Sequence, residues 1–452
     1  MNISLFILML FSLQLIYWLV GRNSSKNVKG KEDYYLANKS VRLFPLMMTF
    51  LATQVGGGVV LGAADEAYKF GWPVLLYPMG AALGLIALGC GIGRKLAGFQ
   101  VSTVAQIFEV VYGSAVLKKI ASFLSIISLF MILVAQVIAS HKFLMSLGFN
   151  HNLLFIAFWA VVIIYTAQGG LRAVISTDLV QAAVFSSVFL LCFGFVLYYE
   201  PTISLQMPQL ENFTPVSSKL CGWLLMPLLF MVIEQDMGQR CFAGSSPKIV
   251  SRACLFAGIG TMIVCVVPVF FGSLAHATGL EVEQGASVLM AIIAKTTPPW
   301  MSAIVGCAVL AAIISTATSL INAISSNVAN DFNLSFFRKV DSMQLVKGIT
   351  CLISIGALFF AFYFDNIVDL LIQSYELSVS CLLVPVVMAL FRKQGNFTAA
   401  LLAIILGAIG FILFRIYPIA FPKEIASILL SIVGFSCGEL IKPSEKFNHE
   451  AA

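Results

Sequence analysis

The chain has 452 residues, of which 60% are hydrophobic and only 11% charged, and its mean hydropathy is +0.96. An ordinary soluble domain carries roughly 25% charged residues, so a water-soluble globular protein is excluded and an all-α polytopic membrane protein is expected. The net charge of +6 then reports orientation in the bilayer and not affinity for nucleic acid.

Uncharged apolar runs of about 17 to 25 residues predict about thirteen transmembrane helices. They begin near Asn2, Phe44, Trp72, Ile120, Leu153, Ser176, Leu220, Ala253, Pro298, Gly348, Ile367, Thr398 and Glu424. The first, ISLFILMLFSLQLIYWLV, lacks a preceding basic stretch and a small-residue cleavage pattern, so it reads as a retained helix and not a signal peptide. Arg22, Lys26, Lys29, Lys31, Lys39 and Arg42 follow it, which places that loop in the cytoplasm and the N-terminus outside. Alternating sides from there puts Arg94, Lys95, Arg172, Arg240, Lys248, Arg252 and the C-terminus inside, as in a bacterial-type inner or plasma membrane.

The second helix contains LATQVGGGVVLG, with glycine at 56, 57 and 58. Each glycine costs about 1 kcal/mol against alanine in a helix interior, so an unwound or kinked segment is expected near mid-membrane. Carbonyls freed there are tolerated only beside a cavity or a bound group, and a hard cation suits them. A close helix crossing that needs small residues is the alternative.

The seventh helix, GWLLMPLLFMVIEQDMGQR, carries Pro227 in its interior and Glu234 and Asp236 further on. Proline removes a backbone hydrogen bond, so a second break is expected at Pro227. Glu234 lies about 9 Å of helix axis before Arg240. An intramembrane carboxylate is a functional candidate: it binds a substrate ammonium, titrates during the cycle, or pairs as a gate with Arg240, Lys248 or Arg252. Two interrupted helices five apart predict an inverted-repeat transporter, with one repeat in 43–199 and the other in 220–393. An extra helix and loop (1–42) precede them, and two helices and a tail (394–452) follow.

The ninth helix holds AAIISTATS, Ala311 to Ser319. Ala312, Ser315, Thr316 and Ser319 fall on one helical stripe, and Thr318 lies three residues from Ser315. Ser and Thr line helix contacts in membranes simply because they are small; an ion beside them is the functional reading. The ten cysteines are scattered and the four histidines have no ligand spacing, so no transition-metal site is expected. Nor is an enzyme: paired carboxylates and a Ser-His-Asp set are missing.

The strings ATQVGGGVVLGAADEAYKFGW, TAQGGLRAVISTDLVQ, EQDMGQRCFAGSSPK and AAIISTATSLINAISSNVANDF together make the chain similar to the sodium:solute symporter family over almost its whole length. The resemblance implies a LeuT-type core of inverted five-helix repeats with an added N-terminal helix, and secondary active transport with Na+ as the coupling ion. It implies sodium ligands at the backbone oxygens of Ala52 and Val55, facing Ala312, Ser315 and Thr316. Some sialic acid members hold a further sodium, and the matching positions are Asp178 with Ser315, Thr318 and Ser319; Thr318 stands where aspartate is usual. The alternative for Asp178 is a helix-entry residue near the cytoplasmic surface with Arg172 as counter-ion.

The glycine motif looks nearest the choline transporter branch, yet the tryptophans of that branch match Gln54, Met131 and Glu234, so the aromatic cage a quaternary ammonium wants is lost. The sugar branch has glutamine where this chain has Val59. Gln54, Gly56, Gly57, Val59, Glu234 and Gln235 are the candidate substrate residues. A small amino acid or related zwitterion or carboxylate is the expected solute, with choline or another quaternary amine as an alternative and a transporter-like membrane sensor as an alternative of another class. The expected partners are the solute, sodium and the lipid bilayer, with no nucleic acid and no obligate protein partner.

Overall fold

The computed structural model describes residues 2–26, 28, 30–149, 152–199, 217–282, 285–334, 342–364, 366–392, 394–417 and 419–441. Lys29 and the tail beyond 441 therefore lie outside the described residues. Ten helices are long and apolar enough to cross a bilayer, and two bent pairs bring the number to twelve. In chain order the described helices are α1 (Ile3–Ser25), α2 (Gly30–Leu36), the bent pair α3 (Leu43–Gln54) and α4 (Gly58–Phe70), α5 (Trp72–Leu96), α6 (Gln106–Tyr112), α7 (Ala115–Ser146) and α8 (Leu153–Tyr199). The second bent pair, α9 (Lys219–Ile233) and α10 (Gln235–Ala243), comes next, then α11 (Pro247–Ala277), α12 (Val288–Thr296), α13 (Pro299–Asp331), α14 (Met343–Tyr363), α15 (Ile367–Phe391), α16 (Phe397–Ile416) and α17 (Lys423–Ile441).

At 47 residues, α8 is about 70 Å long at 1.5 Å per residue, more than twice a bilayer core. It breaks at Gly170, whose φ of 55° and ψ of −154° suit glycine and little else. A Cβ there would also strike the ring of Tyr34. The two arms correspond to the separate helices expected from Leu153 and Ser176.

The first expected break is present and the second is displaced. α3 and α4 meet at 53° across the glycine run, and α9 and α10 meet at 44°. Pro227 lies inside continuous α9; the bend falls at Glu234, which adopts φ −67° and ψ 128°. A proline costs a helix one hydrogen bond and a local kink, whereas one residue in extended geometry ends it.

Among the spans α13 is the innermost, with 94% of its most apolar window buried against 22% for α1. It packs on α7, α8 and α3, while α16 and α17 form a hairpin against α15. Lipid tails are as apolar as leucine, so burial alone does not hold such helices together; close packing and interhelical hydrogen bonds do. The outward stripes Leu8, Phe11, Leu15 and Leu19 of α1 and Leu352, Ile355 and Phe359 of α14 are exposed, at the three- and four-residue spacing of a lipid-facing surface.

α2 lies across one end of the bundle. Its Asp33 Oδ1 pairs with Arg172 Nε at 2.5 Å, and its Lys31 Nζ donates to Ala329 O. Tyr35 bonds Ser325 Oγ at 2.8 Å through its hydroxyl, and its carbonyl accepts from Gln239 Nε2 at 2.7 Å. Tyr34 donates to Ala167 O at 3.1 Å; burial pushes its phenol up to about 12, so it stays a neutral donor across the ordinary pH range. Just beyond α2, Val41 forms a parallel bridge with Gly244: Val41 N donates to Ala243 O at 3.1 Å and Ser245 N to Val41 O at 3.0 Å.

Candidate ion and solute site

The glycine break exposes carbonyls that α13 then meets. Val55 leaves the helical region at φ −91° and ψ 72°. In an unbroken helix the Gly57 amide would bond Thr53 O; it donates instead to Gln136 Oε1 at 2.7 Å. Thr53 O is thus left to accept the Thr316 hydroxyl at 2.9 Å. Ala52 O accepts Ser315 Oγ at 2.9 Å and lies 3.4 Å from Thr316 Oγ1. Both hydroxyls also reach Ala312 O, at 2.9 and 3.4 Å.

Two hydroxyl hydrogens are shared among the carbonyls of Ala52, Thr53 and Ala312, the last of which also serves the helix ladder. An oxygen-rich set without a carboxylate can hold a weakly bound monovalent cation. Val55 stands beside it at the break, fully buried, with its amide on Leu51 O. The glycines are needed for approach as well as for unwinding. A Cβ on Gly56 would fall 2.5 Å from Thr316 Oγ1 and 2.7 Å from Gln136 Oε1, and one on Gly57 would fall 2.5 Å from Ala139 Cβ.

Next to the knot is a cavity of about 30 Å³, bounded by Gln54, Gly56, Val59, Gln136, Glu234 and Asp236, with Tyr77 and Tyr375 as its aromatic wall. No lysine, arginine or histidine lines it. Among the described residues Glu234 Oε2 and both carboxylate oxygens of Asp236 lack a hydrogen bond of good geometry, although the two carboxyls lie against each other and Gln54 lies against Glu234. A poorly partnered buried acceptor is costly, and both of these neighbouring carboxyls line the same small space. Gly57 and Gln235 are not part of the lining. Gln235 accepts from Val104 N at 2.7 Å and donates to Ser102 O at 3.3 Å, so both ends of its amide are engaged elsewhere.

Asp178 is wholly buried inside the second arm of α8. Its Oδ2 accepts from Thr49 Oγ1 at 2.5 Å and pairs with Arg240 at 3.3 Å. The same guanidinium donates to Ser319 Oγ at 2.5 Å, Thr49 Oγ1 at 3.0 Å and Asp236 O at 3.0 Å. Thr53 and Ser319 hydroxyls are 3.0 Å apart, and Thr318 turns back to Ser315 O at 3.1 Å.

The profile of the sodium:solute symporter family matches residues 34–407. The chain belongs to the sodium:solute symporter family. It is 25% identical to the sodium/pantothenate symporter of Haemophilus influenzae, covering 92% of each chain. It is 24% identical to the high-affinity choline transporter 1 of Drosophila melanogaster, where it spans only 56% of that protein's length. The fold is similar to that of a Na+-coupled sialic acid symporter in its substrate-bound outward-open state, with a TM-score of 0.80, 17% identity and 98% and 99% of the two chains covered. A nucleobase-cation-symport-1 family transporter, closed with bromovinylhydantoin bound, superposes with a TM-score of 0.60. The fold is thus LeuT-type, and the relatives are transporters.

Two sequence expectations about charge are corrected in this symporter. Arg240 is not a cytoplasmic surface charge; it is fully buried because Asp178, also buried, needs a counter-charge. Its ion-pair partner is Asp178. Nor is Arg172 the partner of Asp178, since it is taken by Asp33. Thr49, Thr53, Gln136, Tyr77, Tyr375 and Asp236 join the site unforeseen. Gln136, a lone amide in an apolar span, was findable on that ground; the tyrosines look like packing residues in the sequence.

Proposed function

We propose that the protein couples inward sodium movement to uptake of a small solute bearing a protonated primary or secondary amine, alone or within a zwitterion. The observation that carries the solute class is the pair of neighbouring buried carboxyls, Glu234 and Asp236, poorly served by hydrogen bonds and lining a cavity with no basic residue among those described. N–H donors would satisfy them. A quaternary ammonium has no N–H and would leave them bare, which weighs against choline, and a simple carboxylate would add like charge in a dry site.

Sodium is assigned to Ala52 O, Val55 O, Ala312 O, Ser315 Oγ and Thr316 Oγ1; the shared hydrogen bonds among four of these residues support that set. On binding, the hydroxyls would turn their hydrogens aside and present lone pairs. The two bent pairs support repeats at 43–199 and 220–393, and the basic residues near α2 support a cytoplasmic α2 end with the N-terminus outside.

The test is a thermal-unfolding screen of purified protein against amines, their N-methylated analogues, amino acids, sugars and carboxylates, with and without sodium. Stabilisation by amine-bearing compounds only when sodium is present is expected. Stabilisation by carboxylates or quaternary amines alone would overturn the solute class.

A further inference from the structure

We infer that Arg240 is a tethered cation that fills a second cation site of this symporter, so that the chain binds a single sodium ion. The inference rests on the sodium reading of the α3–α13 knot but concerns a separate set of atoms.

Asp178, Thr49, Ser319 and Thr53 place a carboxylate and three hydroxyls around one buried point where α3, α8 and α13 meet, and all four residues are at most 3% exposed. Oxygen donors of this kind, one of them charged, are what a hard monovalent cation takes. The point is held by nitrogen instead. One terminal nitrogen of Arg240 touches both Asp178 Oδ2, at 3.3 Å, and Ser319 Oγ, at 2.5 Å, and Nε holds Thr49 at 3.0 Å. A sodium ion on the same oxygens would have to share them with that nitrogen, and two unit charges a few ångströms apart in a dry site repel strongly.

Asp178 Oδ1 stays buried without a hydrogen bond. A planar guanidinium coming from α10 engages only one edge of the carboxylate, leaving an oxygen that a small spherical ion would have used. The charged groups facing this point are Asp178, Arg240 and, along α10, Asp236 and Glu234. With Arg240 in place, Asp178 is neutralised without any ion from solution. The site that powers transport in this reading is then the uncharged knot at Ser315 and Thr316 alone.

The test is equilibrium binding of radioactive sodium to the purified full-length chain, comparing wild type with Arg240→Met, which keeps length and removes charge, and with Arg240→Met combined with Asp178→Asn. Wild type should bind about one ion per chain and Arg240→Met one more, with the gain lost in the double variant. Two ions on wild type, or no extra ion on folded Arg240→Met, would overturn the inference. If wild type binds no sodium the knot assignment fails, while the gain on Arg240→Met still decides this one. Should Arg240→Met not fold, Arg240→Gln replaces it.

Discussion

Ser315 and Thr316 show how far a residue pattern reaches. Their stripe on α13 was legible because hydroxyls crowded into an apolar span need partners, and the glycine break named where those partners come from. Thr53 was hidden, since its role depends on a carbonyl freed only because Gln136 captures the Gly57 amide. Replacing Ser315 or Thr316 by alanine should raise the sodium concentration for half-maximal thermal stabilisation about tenfold, or about 1.4 kcal/mol of ion binding. An unchanged sodium response in both variants would remove the site assignment. Gly56→Ala should be harsher, because its methyl would sit against Thr316 Oγ1 and Gln136 Oε1. Sodium-dependent stabilisation should vanish even in protein that still folds, whereas a retained response would show that the break tolerates a side chain.

At the scale of elements, the many-span helical architecture followed from length and hydropathy, and the position of the second bend did not. Pro227 is the stronger helix breaker by propensity, yet the chain bends at Glu234, where a carboxylate reaches the cavity and α10 begins afresh. Tertiary context outweighed propensity there. α2 was equally illegible: a short polar run in a basic loop gives no sign that it will bond to α8, α10 and α13 at one end of the bundle. If these bonds keep that end closed, Tyr35→Phe, which removes the bond to Ser325, should favour opening of that end about fivefold, as one lost hydrogen bond of about 1 kcal/mol allows. The readout is alkylation of Cys241, fully buried in α10, followed by mass spectrometry. An alkylation rate equal to wild type would exclude α2 as a closure.

For the whole molecule, the proposed solute cavity adjoins the proposed sodium knot, and Thr53 and Thr316 belong to both. Each ligand should therefore strengthen the other by the same factor, and titrating sodium at several solute concentrations, then the reverse, measures both. Independent affinities would mean that the cavity and the knot belong to different processes. Lys219 approaches Glu66 at 3.6 Å and stacks over Phe70 at 4.7 Å, a contact partly open to water that salt will loosen.

The small bridge between Val41 and Gly244 bears on how those faces alternate. It ties Val41, two residues before α3, to the residue after α10 through main-chain atoms only, a link through which the inner halves of both bent pairs would tilt together. Because no side chain takes part, alanine scanning would pass over the hinge-pin in silence. Ser245→Pro, which deletes the amide that Val41 O accepts, is the substitution that would let the two halves part.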